Sequence, residues 1–223
     1  VLSKKIAAGS THVVIDLPVG PTAKVRSEAS ARGLTESLRD TAHAFGLEVK
    51  VVSTDGRQPV GRGIGPALEA RDILAVLQSK ADAPADLRDR AVALAGALLE
   101  MTDAAKEGEG EALAAEVIAD GRAWRKFQQI CEAQGGMRVP PQAKHHRPVL
   151  AARPGMVSSI DNRRLAMAAK LAGAPGAKAA GVELHVRLGF AVEAGQPLYT
   201  VHAETPGELA YALNYVEANE DII

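Results

Sequence analysis

Two short apolar runs flanking one amphipathic stretch constrain this chain more than any other feature. HVVIDLPVG, from His12 to Gly20, is apolar almost throughout and bounded by Gly and Pro, as expected for a strand buried on both faces. LEVKVVS, from Leu47 to Ser53, has the same strand character. Between them Val25, Ala29, Leu34, Leu38, Ala42 and Phe45 recur at helical spacing. Strand, helix and strand in that order predict a parallel pair, because a parallel return needs a long crossover and a helix supplies it. The expected fold class is therefore α/β, with a mixed, largely parallel sheet and flanking helices.

Further along, Pro66 stands at a first helical position and opens ALEARDILAVLQ. After Pro84, the residues Leu87, Ala91, Leu94, Ala95 and Leu98 form one apolar stripe, and shorter helices are expected over residues 111–119 and 123–133. Residues 135–148, GGMRVPPQAKHHRP, combine Gly, Pro and charge without periodicity and read as a linker. Beyond them Val182, Leu184 and Val186 alternate with Glu183, His185 and Arg187, and PLYTVHAE follows the turn residues Gly195 and Gln196. That alternation predicts a half-buried antiparallel sheet. Asp161 is placed to cap a helix running through Ala172, and Thr205 with Glu208 spells a capping box. Residues 149–223 thus read as a smaller α+β C-terminal domain after an α/β domain over residues 9–134.

The charge balance, 26 Lys+Arg against 27 Asp+Glu, leaves no basic excess to draw the chain onto nucleic acid or anionic lipid. Aromatics are only 3%, too few for a base-stacking surface, so small molecules or protein are the expected partners. The single cysteine, Cys131, excludes an intrachain disulfide and a multi-cysteine metal cluster, which fits a reducing cytoplasm. No run approaches the roughly 18 apolar residues of a membrane span. The opening VLSKKIAAGS lacks the pattern of a signal peptide and reads as the inside of a helix, from which an upstream portion of the protein is expected.

Few residues suggest chemistry by themselves. GRGIGP, Gly61 to Pro66, lies between an extended run and a helix, where backbone N–H groups can cradle an anion; a tight turn before a helix is the plainer reading. His145 and His146 lie in the apparent linker, no histidine pair has metal-ligand spacing, and Cys131 reads as a core residue. Lys4 alone would be read as a surface lysine. VEAGQPLYTVHAE is similar to the hammerhead sheet of lipoyl and biotinyl carrier domains, but the nearest lysines, Lys170 and Lys178, do not fall on a tight turn between strands.

Several ordered motifs together carry a resemblance: SKKIAAGSTHVVIDLPVG, TDGRQPVGRGIGPALEARD, AQGG, DNRRLAMAAKLAG and VELHVRLGFAVEAGQPLYTVHAE. They resemble the C-terminal half of thymidine and pyrimidine-nucleoside phosphorylases, nearest to the longer branch that includes archaeal AMP phosphorylases and bacterial thymidine-phosphorylase-like proteins. The resemblance implies that residues 1–8 end a helical, base-binding domain. It also implies that phosphate, the co-substrate, is held by a loop upstream of this chain, and that no organic cofactor is used. Lys4 matches the first lysine of the family's SKK motif, a base-contacting residue that stabilises the leaving group. Val60, Gly63 and Asp72 match positions that bind a monovalent cation, K⁺, in some members; the family's Glu is Asp72 here, and an exposed helix carboxylate is the alternative reading. The implied reaction is phosphorolysis of a pyrimidine nucleoside by a homodimer, with a nucleoside monophosphate as the alternative substrate.

Overall fold

The computed structural model describes Leu2–Ile223. Val1, the first residue of the segment assigned to a helical domain, lies outside the described residues. In chain order the elements begin α1 (Leu2–Ala7), β1 (His12–Val19), α2 (Glu28–Ala44), β2 (Glu48–Asp55), β3 (Gly63–Ile64), α3 (Pro66–Leu77), α4 (Ala85–Met101) and α5 (Gly110–Ala119). They continue with α6 (Arg122–Ala133), β4 (His145–Leu150), β5 (Gly155–Met156), α7 (Asn162–Leu171), β6 (Gly181–Leu184), β7 (Ala191–Val192), β8 (Pro197–Ala203) and α8 (Pro206–Glu217). The chain divides into two compact units, Val1–Gly56 with Arg88–Trp124, and Arg57–Leu87 with Arg125–Ile223.

In the first unit β1 and β2 pair in parallel, from His12 opposite Glu48 to Val19 opposite Asp55, with α2 as the crossover. α2 begins where the Ser27 hydroxyl accepts from the Ser30 N–H at 3.2 Å, satisfying one of the four donors that a helix start leaves open. α1 sets Leu2 and Ile6, one turn apart, against a small core of Val13, Ala42 and Leu47. Asp16 on β1 accepts from the Thr54 hydroxyl and from Arg90 Nη1 at 2.8 Å, which ties the strand pair to α4.

The second unit holds the larger core. Four strands in the order β3-β6-β8-β4 form a sheet in which every neighbouring pair is antiparallel. The alternation along residues 182–186 places Val182, Leu184 and Val186 on the buried face, where they meet Tyr199, Val201 and Ala203 of β8. α7 and α8 cover that face with Leu165, Ala168, Ala212 and Val216. Both helices start at the capping residues read from sequence: Asp161 accepts from the N–H groups of Arg163 and Arg164 at 2.9 and 3.0 Å, and the Thr205 hydroxyl accepts from Glu208 N–H at 3.2 Å.

The class is mixed α and β as expected, with parallel pairing confined to β1 and β2. Three local readings change. α4 forms as expected but buries Gly96 and Ala97, while Ala91, Ala95 and Leu98 of the expected stripe are exposed. β4 starts at His145, inside the stretch whose Gly and Pro content reads as linker, because β8 offers it a partner that composition cannot reveal. Cys131 is half-buried on α6, a helix with no buried residue, and is not a core residue. No helix among the described residues is long and apolar enough to cross a membrane.

The core assignment predicts a contrast. Leu165 is fully buried while Tyr211 on α8 is 63% exposed. Leu165→Ala should lower unfolding stability in urea by about 2–5 kcal/mol, and Tyr211→Ala should change it by no more than about 0.5 kcal/mol. Equal losses would contradict the packing.

Candidate functional site

The GRGIGP turn does cradle anions, and all of them belong to its own chain. Gly61 N–H donates to Asp86 Oδ2 at 3.1 Å; Arg62 N–H and Gly63 N–H both donate to Asp72 Oδ2, at 2.6 and 2.8 Å. Gly65 N–H donates to Glu69 Oε1 at 2.9 Å, closing the start of α3 where Gly65 has no side chain to cap it. With these donors committed, the turn is no ready-made seat for an external phosphate, and the plainer reading of a tight turn before a helix describes it better. Two glycines make the wrap possible. Gly61 has φ +75°, in the left-handed region, and a Cβ on Gly63 would stand 2.4 Å from the Leu68 carbonyl carbon.

Asp72 is the centre of this arrangement. It projects from α3 and is 4% exposed, so the reading of it as an exposed helix carboxylate fails. Its Oδ1 takes the other half of the contacts: Arg62 Nε donates at 3.0 Å and Arg62 Nη2 lies at 3.0 Å. Val60 and Gly63, the other two positions assigned to a cation, flank Gly61 and Arg62 in the same turn. Around Val60 the carbonyls of Pro59 and Gly61 accept from Arg187 Nη1 and Nη2 at 2.9 and 2.6 Å, and Arg187 Nη2 also lies 3.1 Å from Asp86 Oδ2. Gln58 Oε1 accepts from Leu188 N–H at 2.9 Å, so the turn is fastened to the segment that follows β6.

Lys4 belongs to the first unit. Leu2 and Ile6 hold α1 down, and Lys4 lies midway between them in sequence, about 200° around the helix from each, on the face turned away from the small core. Both Lys4 and Lys5 are exposed.

A third polar group lies on the outer face of the four-stranded sheet. His146 and His202 stack with ring centroids 5.8 Å apart, His202 Nε2 lies 3.5 Å from Glu183 Oε2, and His185 Nε2 is 2.7 Å from the Thr200 hydroxyl. Among the described residues no group of three His, Cys, Asp or Glu side chains could hold a metal ion. The turn from β7 into β8, Glu193 to Gln196, carries no lysine, and Lys178 Nζ instead donates to the Pro175 carbonyl at 3.0 Å. A swinging-arm carrier has no attachment point there.

Known proteins match this chain along its whole length. A protein of Sphingopyxis alaskensis named "Putative thymidine phosphorylase" is 66% identical over 218 residues, 98% of this chain and 42% of that protein's own length. Proteins of the same name from Polaromonas sp. and Chelativorans sp. are each 62% identical over all 223 residues, 44% of their own length. The chain is similar over its whole length to part of these proteins, and residues 156–222 match the pyrimidine nucleoside phosphorylase C-terminal domain. That match covers α7, β6, β7, β8 and α8, which supply most of the larger core. The chain spans less than half the length of the curated relatives it matches.

Sequence reasoning missed Arg62, Asp86 and Arg187. The only available signal for Arg187 was its place on the polar face of the 182–187 alternation. Arg62 had none beyond its position between two glycines.

Two predictions follow from this geometry. Gly63→Ala should destabilise the chain by about 1–3 kcal/mol in a denaturant titration, because the added methyl meets helix backbone that cannot swing away. An unchanged midpoint would show that the turn is looser than described. The second concerns Glu183, whose carboxyl is held below its ordinary range by the attraction of the His202 imidazole, against the upward push of burial. A depressed carboxylate adds stability that is present above its unfolded pKa of about 4.3 and is lost as pH falls through the lower folded value. Glu183→Gln should therefore flatten the acid limb of a plot of melting temperature against pH, and an unaltered limb would refute the pairing.

Proposed function

We propose that this chain serves the phosphorolysis of a pyrimidine nucleoside, of the thymidine or uridine type, to free base and a pentose 1-phosphate, as part of a longer protein that works as a homodimer. The observation that carries this reading is identity of 57–66% with proteins named as thymidine phosphorylases, sustained over 98% or more of the chain. Phosphate is the second substrate, and no organic cofactor takes part.

In this reading a phosphate oxygen bonds to C1′ of the sugar as the C1′–N bond breaks. The bonding pair leaves with the base, so negative charge grows on it while the sugar becomes oxocarbenium-like. A donor fixed beside a base oxygen then stabilises the transition state more than the ground state. Lys4 is assigned this role. The exposure of its face of α1 supports the assignment, since Leu2 and Ile6 anchor the helix without using the lysine. Phosphate is bound by residues outside this chain, so the chain alone is inactive.

The test uses the full-length protein. Lys4→Ala should lower kcat by roughly 10²-fold or more, as loss of one preorganised donor does, while Lys5→Ala, on another helical face, should leave kcat near wild type. Measuring both variants on thymidine, uridine and AMP identifies the substrate, because the true leaving group shows the largest Lys4 effect. Equal and small effects at the two lysines would overturn the assignment.

A further inference from the structure

The resemblance that assigns Val60, Gly63 and Asp72 to a monovalent cation can be tested against the geometry of the turn. A cation site built from oxygens needs lone pairs that are free to point at the ion. An ionised carboxylate offers about four such positions. At Asp72 four nitrogens already stand at hydrogen-bond or ion-pair distance: the N–H groups of Arg62 and Gly63 on Oδ2, and Arg62 Nε and Nη2 on Oδ1. The surroundings are equally committed. Asp86 receives Gly61 N–H and faces Arg187, Glu69 receives Gly65 N–H, and the carbonyls on both sides of Val60 receive Arg187. A cation brought to Asp72 would have to displace the guanidinium of Arg62 and then stand beside it with like charge. The residues as they are arranged do not fit K⁺.

We propose that the Arg62 guanidinium is a built-in substitute for a bound monovalent cation at the buried Asp72 carboxylate. The charge that Asp72 requires is supplied covalently, from within the turn it organises, and the turn keeps its shape without added ions. A guanidinium suits this position because it is always charged and its fork can span both the Nε and Nη2 contacts on one carboxylate oxygen. The inference stands on the geometry of the turn and does not depend on which substrate the protein uses.

Melting temperature of the full-length protein, read in KCl and in choline chloride at equal ionic strength, tests the proposal without an activity assay. The wild type should melt at the same temperature in both salts. Arg62→Met should melt lower in choline chloride and recover part of the loss in KCl, and adding Asp72→Asn to that variant should abolish the recovery. Arg62→Lys, which keeps the charge, should be as indifferent to K⁺ as the wild type. A K⁺-specific rise in the wild type that Asp72→Asn removes would overturn the proposal, as would an Arg62→Met protein that folds and ignores K⁺. Should Arg62→Met fail to fold, the wild type and Arg62→Lys decide the matter by themselves.

Discussion

A buried carboxylate must be matched by donors, and in this chain the demand of Asp72 shapes everything between β2 and α3. Stripping such a group of its partner costs about 3–5 kcal/mol, enough to dictate the path of a short turn. The path chosen brings Gly61, Arg62 and Gly63 over the first turns of α3, and the close approach at Leu68 leaves no room for a side chain on Gly63. The same path delivers Gly63 and Ile64 to the edge of β6, where they pair with Glu183 and Val182. One carboxylate thus sets both the entry of a helix and the fourth strand of a sheet whose other strands lie some 80 to 140 residues later in the chain.

Arg187 performs the complementary task from the other side. Its guanidinium reaches the carbonyls of Pro59 and Gly61 and stands against Asp86, so the turn is held by one arginine from within and by a second from the segment after β6. Two of the carboxylates are matched locally: Asp72 by Arg62, and Asp86 by Arg187. An arrangement of this kind ranks as a structural ion-pair network. The exposed lysine of α1 is its opposite in character, carried on a six-residue helix whose burial rests on Leu2.

What could be read from the sequence was what depends on near neighbours. The period of Leu34, Leu38 and Ala42, the proline at the start of α3, the caps at Asp161 and Thr205, and the alternation of Val182, Leu184 and Val186 all act within a few residues, and the structure follows them closely. What escaped depends on partners far along the chain. Arg187 bonds to Gly61 across 126 positions, and β4 is a strand only because residues 197–203 lie beside it. Asp72 shows the same limit at shorter range: its spacing on a helix is that of an ordinary exposed acid, and only the fold of the preceding turn buries it. The family resemblance assigned Val60, Gly63 and Asp72 in that turn to a monovalent cation, and the donors that meet Asp72 are those of the chain itself. The physical occupant of the carboxylate became visible only with the donors in place.

The parallel pair of β1 and β2 has a consequence for how such a chain is made. Among the described residues each of these strands has one sheet neighbour, so each leaves an outer edge of backbone donors and acceptors outside the ladder. Uncovered edges recruit strands indiscriminately, from the same molecule or from another. During synthesis the helix that crosses between the two strands emerges before the second strand does, and β1 must wait for it through α2. Until β2 emerges, the edge of β1 that pairs with it stands open, and the length of α2 sets how long it does so.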